Sequence, residues 1–273
     1  MIAAATDTSA VTNEWAMAEV IKHPRVLRKI QDELDSVVGP HRMVSESDLP
    51  HLNYLRCVVR ETFRMHPAGP FLIPHESTRA TTINGYYIPA KTRVFINTHG
   101  LGRNTSLWPD VEEFRPERHW PADGSRVEIS HGADFRILPF SAGKRKCPGA
   151  PLGVTLVLMA LARLLHCFDW APPEGLRPDD IETREVYGMT MPKAQPLMAI
   201  ASPRLAAHMY KWLYAFHIFC ILNLSSKNGY LFYFNCDYNF RIKCLSWVMF
   251  DFTKLIWIKS IQVKLLKAPY QNI

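Results

Sequence analysis

The chain has 273 residues, 48% of them hydrophobic, with 32 Lys or Arg against 25 Asp or Glu and a formal net charge of +7. This composition supports a sizeable core in one large domain or two ordinary ones. The charge excess lies in residues 211–273, which hold eight Lys or Arg against Asp237 and Asp251. The rest is nearly neutral, and we expect no nucleic-acid partner. We find neither a secretory signal nor an apolar run of 18 residues, so we expect no membrane-spanning segment.

Three helices are expected before residue 70. Residues 1–21 have the composition of the second half of a long helix, which ends at the His23-Pro24 step because proline restricts the residue before it. Residues 26–39 form an amphipathic pattern closed by a glycine, and residues 51–67 form another that ends at a proline. Helices therefore dominate this part of the chain.

The middle of the chain predicts a hairpin followed by irregular coil. Asn84-Gly85 is the strongest short hairpin signal, and it separates expected strands at residues 81–83 and 86–88. Residues 103–139 are rich in Pro, Gly, Asp and Arg, which predicts coil. A loop of that length usually has a function.

The last elements are a long apolar helix, which begins near Leu152, and a final hairpin over residues 183–200 that turns near Gly188. Since helices outnumber the short strands, the expected fold class is mainly α with small β-sheets at the side.

Residues 140–149, FSAGKRKCPG, place a cysteine in a glycine-rich turn that leads into the apolar helix. Gly143 and Gly149 permit backbone geometry that a side chain would block, and Pro148 suits the first position of a helix. Cys147 would then lie at the positive end of a buried helix, where a thiolate is favoured over a thiol. A haem thiolate ligand is presented in this way. The alternative is a buried structural cysteine.

Four segments resemble the cytochrome P450 monooxygenases, in the order that this family has them. The haem-binding loop matches at Phe140, Gly143, Arg145, Cys147 and Gly149. The other three are residues 4–9 (AATDTS), similar to the oxygen-activation stretch, residues 61–64 (ETFR), similar to the Glu-x-x-Arg helix, and residues 114–118 (FRPER), similar to the meander. Ala5 stands where many members have glycine, and His119 where phenylalanine is frequent.

The resemblance covers residues 1 to about 210 and implies the cytochrome P450 fold, incomplete, with only its C-terminal portion in this chain. An N-terminal anchor and roughly half of the catalytic domain are expected to be absent from it. Residues 1–210 would be the C-terminal part of the catalytic domain.

The resemblance makes Cys147 the axial ligand of the iron in haem b. A thiolate ligand pushes electron density onto the iron and favours O–O cleavage, which converts dioxygen into an oxidant of C–H bonds. Arg145 and His75 match family positions that contact the haem propionates, whereas a solvated arginine and a hydrogen-bonded histidine are the alternatives. The implied cofactor-binding residues are Cys147, Phe140, Gly143, Arg145, Gly149 and His75.

Asp7 and Thr8 resemble the acid and alcohol pair that this family uses in catalysis. Two protons must reach the distal oxygen, and a carboxylate can relay them while a hydroxyl holds water in place. The alternative is a turn or helix cap, which Asp, Thr and Ser also favour.

Glu61 and Arg64 stand three residues apart, on one face of a helix. As an ordinary surface pair they would contribute about 0.2–0.5 kcal/mol. Their apolar neighbours indicate burial instead, and a buried pair needs further donors, which Arg118 can supply. The resemblance implies a structural triad of Glu61, Arg64 and Arg118 that holds the coil behind the cysteine loop.

The substrate is expected to be lipophilic, because the matching recognition positions are small or apolar. Those positions are Ala4, Ala5, Phe71, Leu72, Ile73, Met189, Thr190 and Met191. Plain core packing is the alternative. Residues 61–104 resemble the plant anther members that hydroxylate medium-chain saturated fatty acids within the chain, for the sporopollenin of the pollen wall.

The resemblance also implies electrons from NADPH, delivered by NADPH-cytochrome P450 reductase. The cluster Lys144, Arg145 and Lys146 could help to dock that acidic partner, or could simply be solvated. Membrane association is expected for the full-length family member, at the cytosolic face of the endoplasmic reticulum.

Residues 211–273 form an atypical basic tail, with 15 of the 31 aromatic residues and one of the 20 prolines. Three interpretations compete: a basic membrane-surface segment, a small extra domain, or translated non-coding sequence. We favour the last, because no helical or strand period is sustained. A spliced transcript that codes for this segment would contradict it.

A rival hypothesis is that this chain is a truncated, inactive gene product or an error in the gene model. We expect the chain alone to give no thiolate-haem signature in a reduced carbon monoxide difference spectrum, since part of the haem cage would be missing.

Overall fold

The computed structural model describes the backbone of residues 2–129 and 134–210 and of four strands between residues 241 and 265, with side chains from residue 5 to 129 and 134 to 210. Its α-helices are α1 (Ile2–Lys22), α2 (Pro24–Val37), α3 (Asn53–Met65), α4 (Thr98–Gly102) and α5 (Ala150–Cys167). Short 3-10 helices lie at Glu46–His51, Pro116–His119, Gly143–Arg145, Pro178–Asp180 and Ala207–Tyr210. The predicted mainly α fold with small sheets is confirmed.

The core forms where α5 packs against α1, α2 and α3. Each of these helices buries an apolar face, as Val26, Ile30 and Leu34 do in α2 at helical spacing. Burial of those faces removes apolar surface from water, which is the main stabilising contribution to the fold.

Helix α5 corrects one expectation from the sequence. By length and composition it could cross a membrane, whereas no such apolar run was expected; it is the one helix of that kind in the part of the chain that the structure describes. Val157, Leu161 and Leu165 are fully buried against the other helices. Its apolar character is therefore that of a central core helix.

The start of α5 also differs from the prediction. Pro148 precedes the helix, which begins at Ala150 with Pro151 in its first turn. Gly149 is the N-cap, and its carbonyl accepts the first helical hydrogen bond from Gly153 at 2.8 Å. Proline is tolerated in this first turn because its missing N–H would have no partner there.

The strands described before residue 211 are β1 (His75–Glu76), β2 (Thr81–Ile83), β3 (Tyr86–Ile88), β4 (Arg93–Val94), β5 (Phe168–Ala171) and β6 (Leu197–Pro203). β2 and β3 pair through the predicted Asn84-Gly85 turn, in which both residues have positive φ. β1 pairs with β4, and β5 pairs with β6.

The expected final hairpin is shorter than predicted. Glu185 and Lys193 form an antiparallel bridge, and the turn between them contains Gly188. The strand that follows the late turn, β6, pairs with β5, which comes before this turn in the sequence. We call residues 185–193 the late hairpin.

Four further strands are described by backbone alone: β7 (Arg241–Leu245), β8 (Val248–Phe250), β9 (Lys254–Ile256) and β10 (Lys259–Leu265). β10 lies parallel to β6 and antiparallel to β7. The division of the chain at residue 210 stays a prediction.

The last residue of α4, Gly102, lies very close to the C-terminal turn of α3. A Cβ atom there would lie 1.9 Å from the carbonyl oxygen of Arg64, closer than any real contact. Glycine is required here by this approach of two backbones.

Gly102→Ala is expected to lower the free energy of unfolding by about 1–3 kcal/mol or more, because the added methyl group forces the two backbones apart. Urea unfolding of both proteins measures the change. Gly69→Ala is the matched control, since its Cβ would lie 3.9 Å from the nearest atom, a carbonyl oxygen. Equal stability of the two variants would contradict the prediction.

Candidate active site

Cys147 lies in a tight loop immediately before α5. Its backbone N–H donates to the carbonyl of Phe140 at 2.8 Å, which closes the loop, and its own carbonyl accepts from the N–H of Ala150 at 3.4 Å. Gly143 has a φ of +71°, a conformation that favours glycine. The loop therefore presents Cys147 next to the positive end of an apolar helix.

Three cysteines have described side chains, and only Cys147 among them is exposed. Burial raises the pKa of the Cys57 and Cys167 thiols to about 12, so both remain protonated and unreactive. The alternative of a buried structural cysteine therefore applies to those two and not to Cys147. An accessible sulphur is what an iron ligand requires.

The aromatic side of the loop is fixed by packing. Phe140 meets Phe63 of α3 edge to face, with ring centroids 5.5 Å apart. A Cβ at Gly153 would lie 3.6 Å from the Phe140 ring, and one at Gly149 would lie 3.8 Å from the sulphur of Cys147. Gly153 therefore lies beside the Phe140 ring, and Gly149 lies beside the sulphur.

These features fit a haem thiolate site. The donor is a single soft sulphur on a preformed loop, the type of ligand that P450 haem uses, and Gly149 adds no side chain beside it. Arg145 is exposed in the same loop, and His75 is half-buried at the start of β1.

Glu61, Arg64 and Arg118 form the predicted triad, and all three side chains are buried. Arg64 donates two hydrogen bonds to the Glu61 carboxylate, each at 2.9 Å, and Arg118 donates a third at 2.9 Å. Arg64 also donates to the carbonyls of Gly102 and Val111. The pair therefore joins α3 to the coil between α4 and the meander.

His119 is a fourth member of this network. In the sequence it stood out only because phenylalanine is frequent at this position of the family pattern. Its Nε2 lies 2.7 Å from Oε2 of Glu61, and its ring meets Trp108 edge to face. Burial lowers the pKa of His119, so a neutral ring donates to Glu61. A phenylalanine here could pack similarly but could not donate.

Burial raises the pKa of Glu61, but hydrogen bonds from His119 and Arg64 outweigh it and lower the pKa to about 2. The carboxylate is thus ionised at any ordinary pH. This is the arrangement that a buried charge requires.

Asp7 and Thr8 lie half-buried in the first half of α1. Oδ2 of Asp7 accepts a hydrogen bond from the Thr190 hydroxyl at 2.9 Å. The carbonyl of Thr8 accepts from the Thr12 hydroxyl at 2.9 Å, as is common within helices. Since these residues lie inside a helix, the alternative of a turn or cap does not apply.

The expected substrate positions fall into two groups. Phe71, Ile73 and Met189 are exposed, and Met189 reaches 91% exposure. Ala5 is exposed, Leu72 has a positive φ and is half-buried with Thr190, and Met191 is fully buried. Met191 therefore belongs to the core. The side chain of Ala4 lies outside the described residues.

Sequence spacing missed a polar cluster at the base of the late hairpin. His66 stacks on Trp15 with centroids 3.9 Å apart, and its two ring nitrogens lie 2.9 Å from Glu19 and 3.0 Å from Glu185. Glu185 also accepts from Arg103 at 3.0 Å. These residues are far apart in sequence, so no local motif indicates the cluster.

Comparison with known proteins agrees with this geometry. The Cytochrome P450 family model matches residues 1–198. Cytochrome P450 703A2 of Arabidopsis thaliana is 82% identical over 211 residues, and that of Oryza sativa subsp. japonica is 79% identical over 212; each match covers 77% of this chain and 40% of the relative. The chain thus spans about 40% of the length of these relatives.

More distant proteins match the same region. A flavonoid 3',5'-hydroxylase of Crocosmia x crocosmiiflora is 46% identical over 211 residues, and the match covers 77% of this chain and 40% of that relative. Among solved structures, a zebra fish cytochrome P450 described with abiraterone has a TM-score of 0.62 at 30% identity. The match covers 72% of this chain and 44% of the zebra fish chain.

Glu61→Gln is expected to destabilise the fold by about 3–5 kcal/mol at neutral pH, because two buried guanidinium groups lose their counter-charge. The pKa of Glu61 falls from an ordinary 4.5 to about 2 on folding, so its contribution is complete above pH 4.5 and is lost as the pH falls towards 2. Urea unfolding across that range measures it. Glu112→Gln, on the exposed coil, is the control; equal effects would contradict the assignment.

His119→Phe is expected to cost about 1–3 kcal/mol, because it keeps the contact with Trp108 but removes a donor to a buried carboxylate. His119→Gln, which retains a side-chain N–H, should cost less. Thermal unfolding ranks the two variants, and a phenylalanine variant at least as stable as the parent would disprove the donor role.

Proposed function

Because the chain belongs to the cytochrome P450 family, we propose that it carries the haem-binding part of a haem-thiolate monooxygenase that hydroxylates a medium-chain fatty acid within its chain. The observation that carries the proposal is the exposed sulphur of Cys147 on a hydrogen-bonded loop, ahead of a buried apolar helix. The proposed ligand residue is Cys147, and its loop partners are Phe140, Gly143, Arg145 and Gly149.

The haem, when bound, supplies the oxidant that inserts one atom of dioxygen into a C–H bond. Cys147 would hold the iron, and the contact between Phe140 and Phe63 would keep the loop in place. Arg145 and His75 would pair with the propionates, since both can donate to carboxylates. The triad around Glu61 holds the coil and takes no part in proton transfer.

Asp7 and Thr8 are the proposed proton-handling residues. A carboxylate can accept a proton from solvent and pass it inward, and a hydroxyl can both accept and donate a hydrogen bond to water. Asp7 is held at Oδ2 by Thr190, which supports a defined position for the acid.

The fatty-acid substrate is supported by two observations. Phe71, Ile73 and Met189 present apolar side chains, which suit an aliphatic chain. Relatives at 82% and 79% identity share the name Cytochrome P450 703A2, which states no substrate, whereas a relative named as a flavonoid hydroxylase is only 46% identical, which argues against a flavonoid substrate. A role in sporopollenin formation in the pollen wall is part of the same proposal.

NADPH-cytochrome P450 reductase is the proposed electron donor, at the cytosolic face of the endoplasmic reticulum membrane. Lys144, Arg145 and Lys146 are all exposed, so a basic surface is available to an acidic partner. This surface adjoins the loop of Cys147, which would keep the electron path short.

Residues 1–210 are the proposed catalytic part, and residues 211–273 a separate segment. The hydroxyl of the buried Tyr210 donates to the Cys167 carbonyl and accepts from the N–H groups of Arg204 and Leu205, which secures the end of this part. A chain that ends at Tyr210 should unfold at the same urea concentration as the full chain; a marked loss would overturn this division.

Cys147→Ser is expected to abolish the thiolate-haem signature in the reduced carbon monoxide difference spectrum, because a hydroxyl does not replace the thiolate. We suggest testing it in a chimera in which residues 1–210 replace the matching part of the Arabidopsis relative. Cys57→Ser is the matched control and should retain the signature, since its thiol is buried in α3. A signature in the Cys147 variant would refute the assignment.

The same spectrum tests the rival hypothesis. The 273-residue chain is measured beside the chimera. A clear signature from the chain alone would exclude the inactive alternative, whereas a signature from the chimera only would support it for this chain.

A medium-chain saturated fatty acid is expected to shift the haem spectrum of the chimera and to yield an in-chain alcohol, whereas a flavonoid should do neither. Met189→Ala should weaken fatty-acid binding, because it removes an exposed apolar contact. Spectral titration and product analysis measure both. A flavonoid product would overturn the substrate assignment while leaving the monooxygenase assignment intact.

A further inference from the structure

The late hairpin is fixed at its base. Glu185 accepts a hydrogen bond from Arg103 at 3.0 Å and lies 3.0 Å from the ring of His66. The N–H of Val186 donates to the carbonyl of Pro192 at 2.9 Å, which closes the turn. The base is therefore tied to the ends of α3 and α4, and only the tip, residues 187–190, projects beyond it.

The far side of the tip is fixed by the backbone of Met191. Its N–H donates to the carbonyl of Ala68 at 3.1 Å, and its carbonyl accepts from the indole N–H of Trp15 at 2.8 Å. Trp15 lies in α1, two turns beyond Asp7, and is fully buried. Thr190 is thus the last residue of the tip and precedes a residue anchored to α1.

Thr190 has a specific contact in this position. Its hydroxyl donates to Oδ2 of Asp7 at 2.9 Å, across 183 residues of sequence. Its other neighbour in the tip, Met189, is 91% exposed and is a proposed substrate contact. One residue therefore links the proposed substrate surface to the proposed proton-handling carboxylate.

We propose that Thr190 is a positioning residue for Asp7, through which a substrate that lies against Met189 sets the placement of the carboxylate. This inference rests on the proposed function, because it assigns Thr190 a role in the reaction of the same site. Substrate contact at the tip moves Thr190 only slightly, since the base and Met191 are fixed, and the hydroxyl carries that adjustment to Oδ2. Proton delivery is then best aligned when substrate is present.

The first test measures coupling in the chimera. Thr190→Val removes the hydroxyl but keeps the shape, and we expect a larger share of NADPH to end in peroxide, with a changed pH profile of product formation. Thr190→Ser keeps the hydroxyl and should restore both. Thr183→Val, at a threonine just before the late hairpin, is the matched control and should behave like the parent.

The second test does not depend on activity. Amide hydrogen exchange of residues 186–191 should become roughly fivefold faster in Thr190→Val and in Asp7→Ala, as the loss of about 1 kcal/mol of net hydrogen bonding predicts. Thr190→Ser and Thr183→Val should exchange at the parental rate. If removal of the donor and removal of the acceptor speed exchange equally, the hydrogen bond between them is the cause.

The outcomes are separable. Parental coupling and parental exchange in Thr190→Val would overturn the inference. Equal losses of coupling in the valine and serine variants would also overturn it, because they would assign the effect to packing. If the chimera gives no thiolate-haem signature, the proposed function fails, and hydrogen exchange still decides whether Thr190 holds Asp7.

Discussion

The buried carboxylate of Glu61 is the interaction on which the rest of the structure depends. An unpaired charge in this position would cost several kcal/mol, so the carboxylate can be buried only where Arg64, Arg118 and His119 surround it. Arg64 then carries the connection onward, through its bonds to the carbonyls of Gly102 and Val111. One charge thus fixes a long stretch of coil that has little regular structure of its own.

The opposite side of α3 supports the cysteine loop. Phe63 contacts Phe140, and the N–H of Cys147 donates to the carbonyl of that same Phe140. Helix α5 leaves the loop and packs against α1, which carries Asp7 and Thr8. A single helix, α3, therefore connects the ionic network on one side to the proposed ligand on the other. A substitution that disrupts the network is expected to disturb the cysteine loop as well.

Much of this arrangement could be predicted from the sequence, because its signals are local. The Asn84-Gly85 turn, the spacing of Glu61 and Arg64, and the glycines around Cys147 each depend on a few neighbouring residues. The structure shows the predicted hairpin, the buried pair and the cysteine in a tight loop ahead of the apolar helix. Local chemistry was sufficient for those features.

The remaining features depend on contacts between distant residues. His119 looked like a departure from the family pattern, since only the fold shows Glu61 beside it. The cluster of His66 and Glu185 joins residues more than 100 positions apart. Sequence also placed Met191 among the substrate contacts, because an apolar residue in a turn suits a pocket as well as it suits a core.

The late hairpin combines a rigid base with an exposed tip, and this division has an evolutionary consequence. A substitution at the exposed Met189 alters what the tip presents while the ionic base and the Met191 anchor persist. With the proposed substrate contact at Met189, selectivity for different substrates can therefore diverge among relatives without a matching loss of stability. The same property makes Met189 a suitable position to vary when a new specificity is sought.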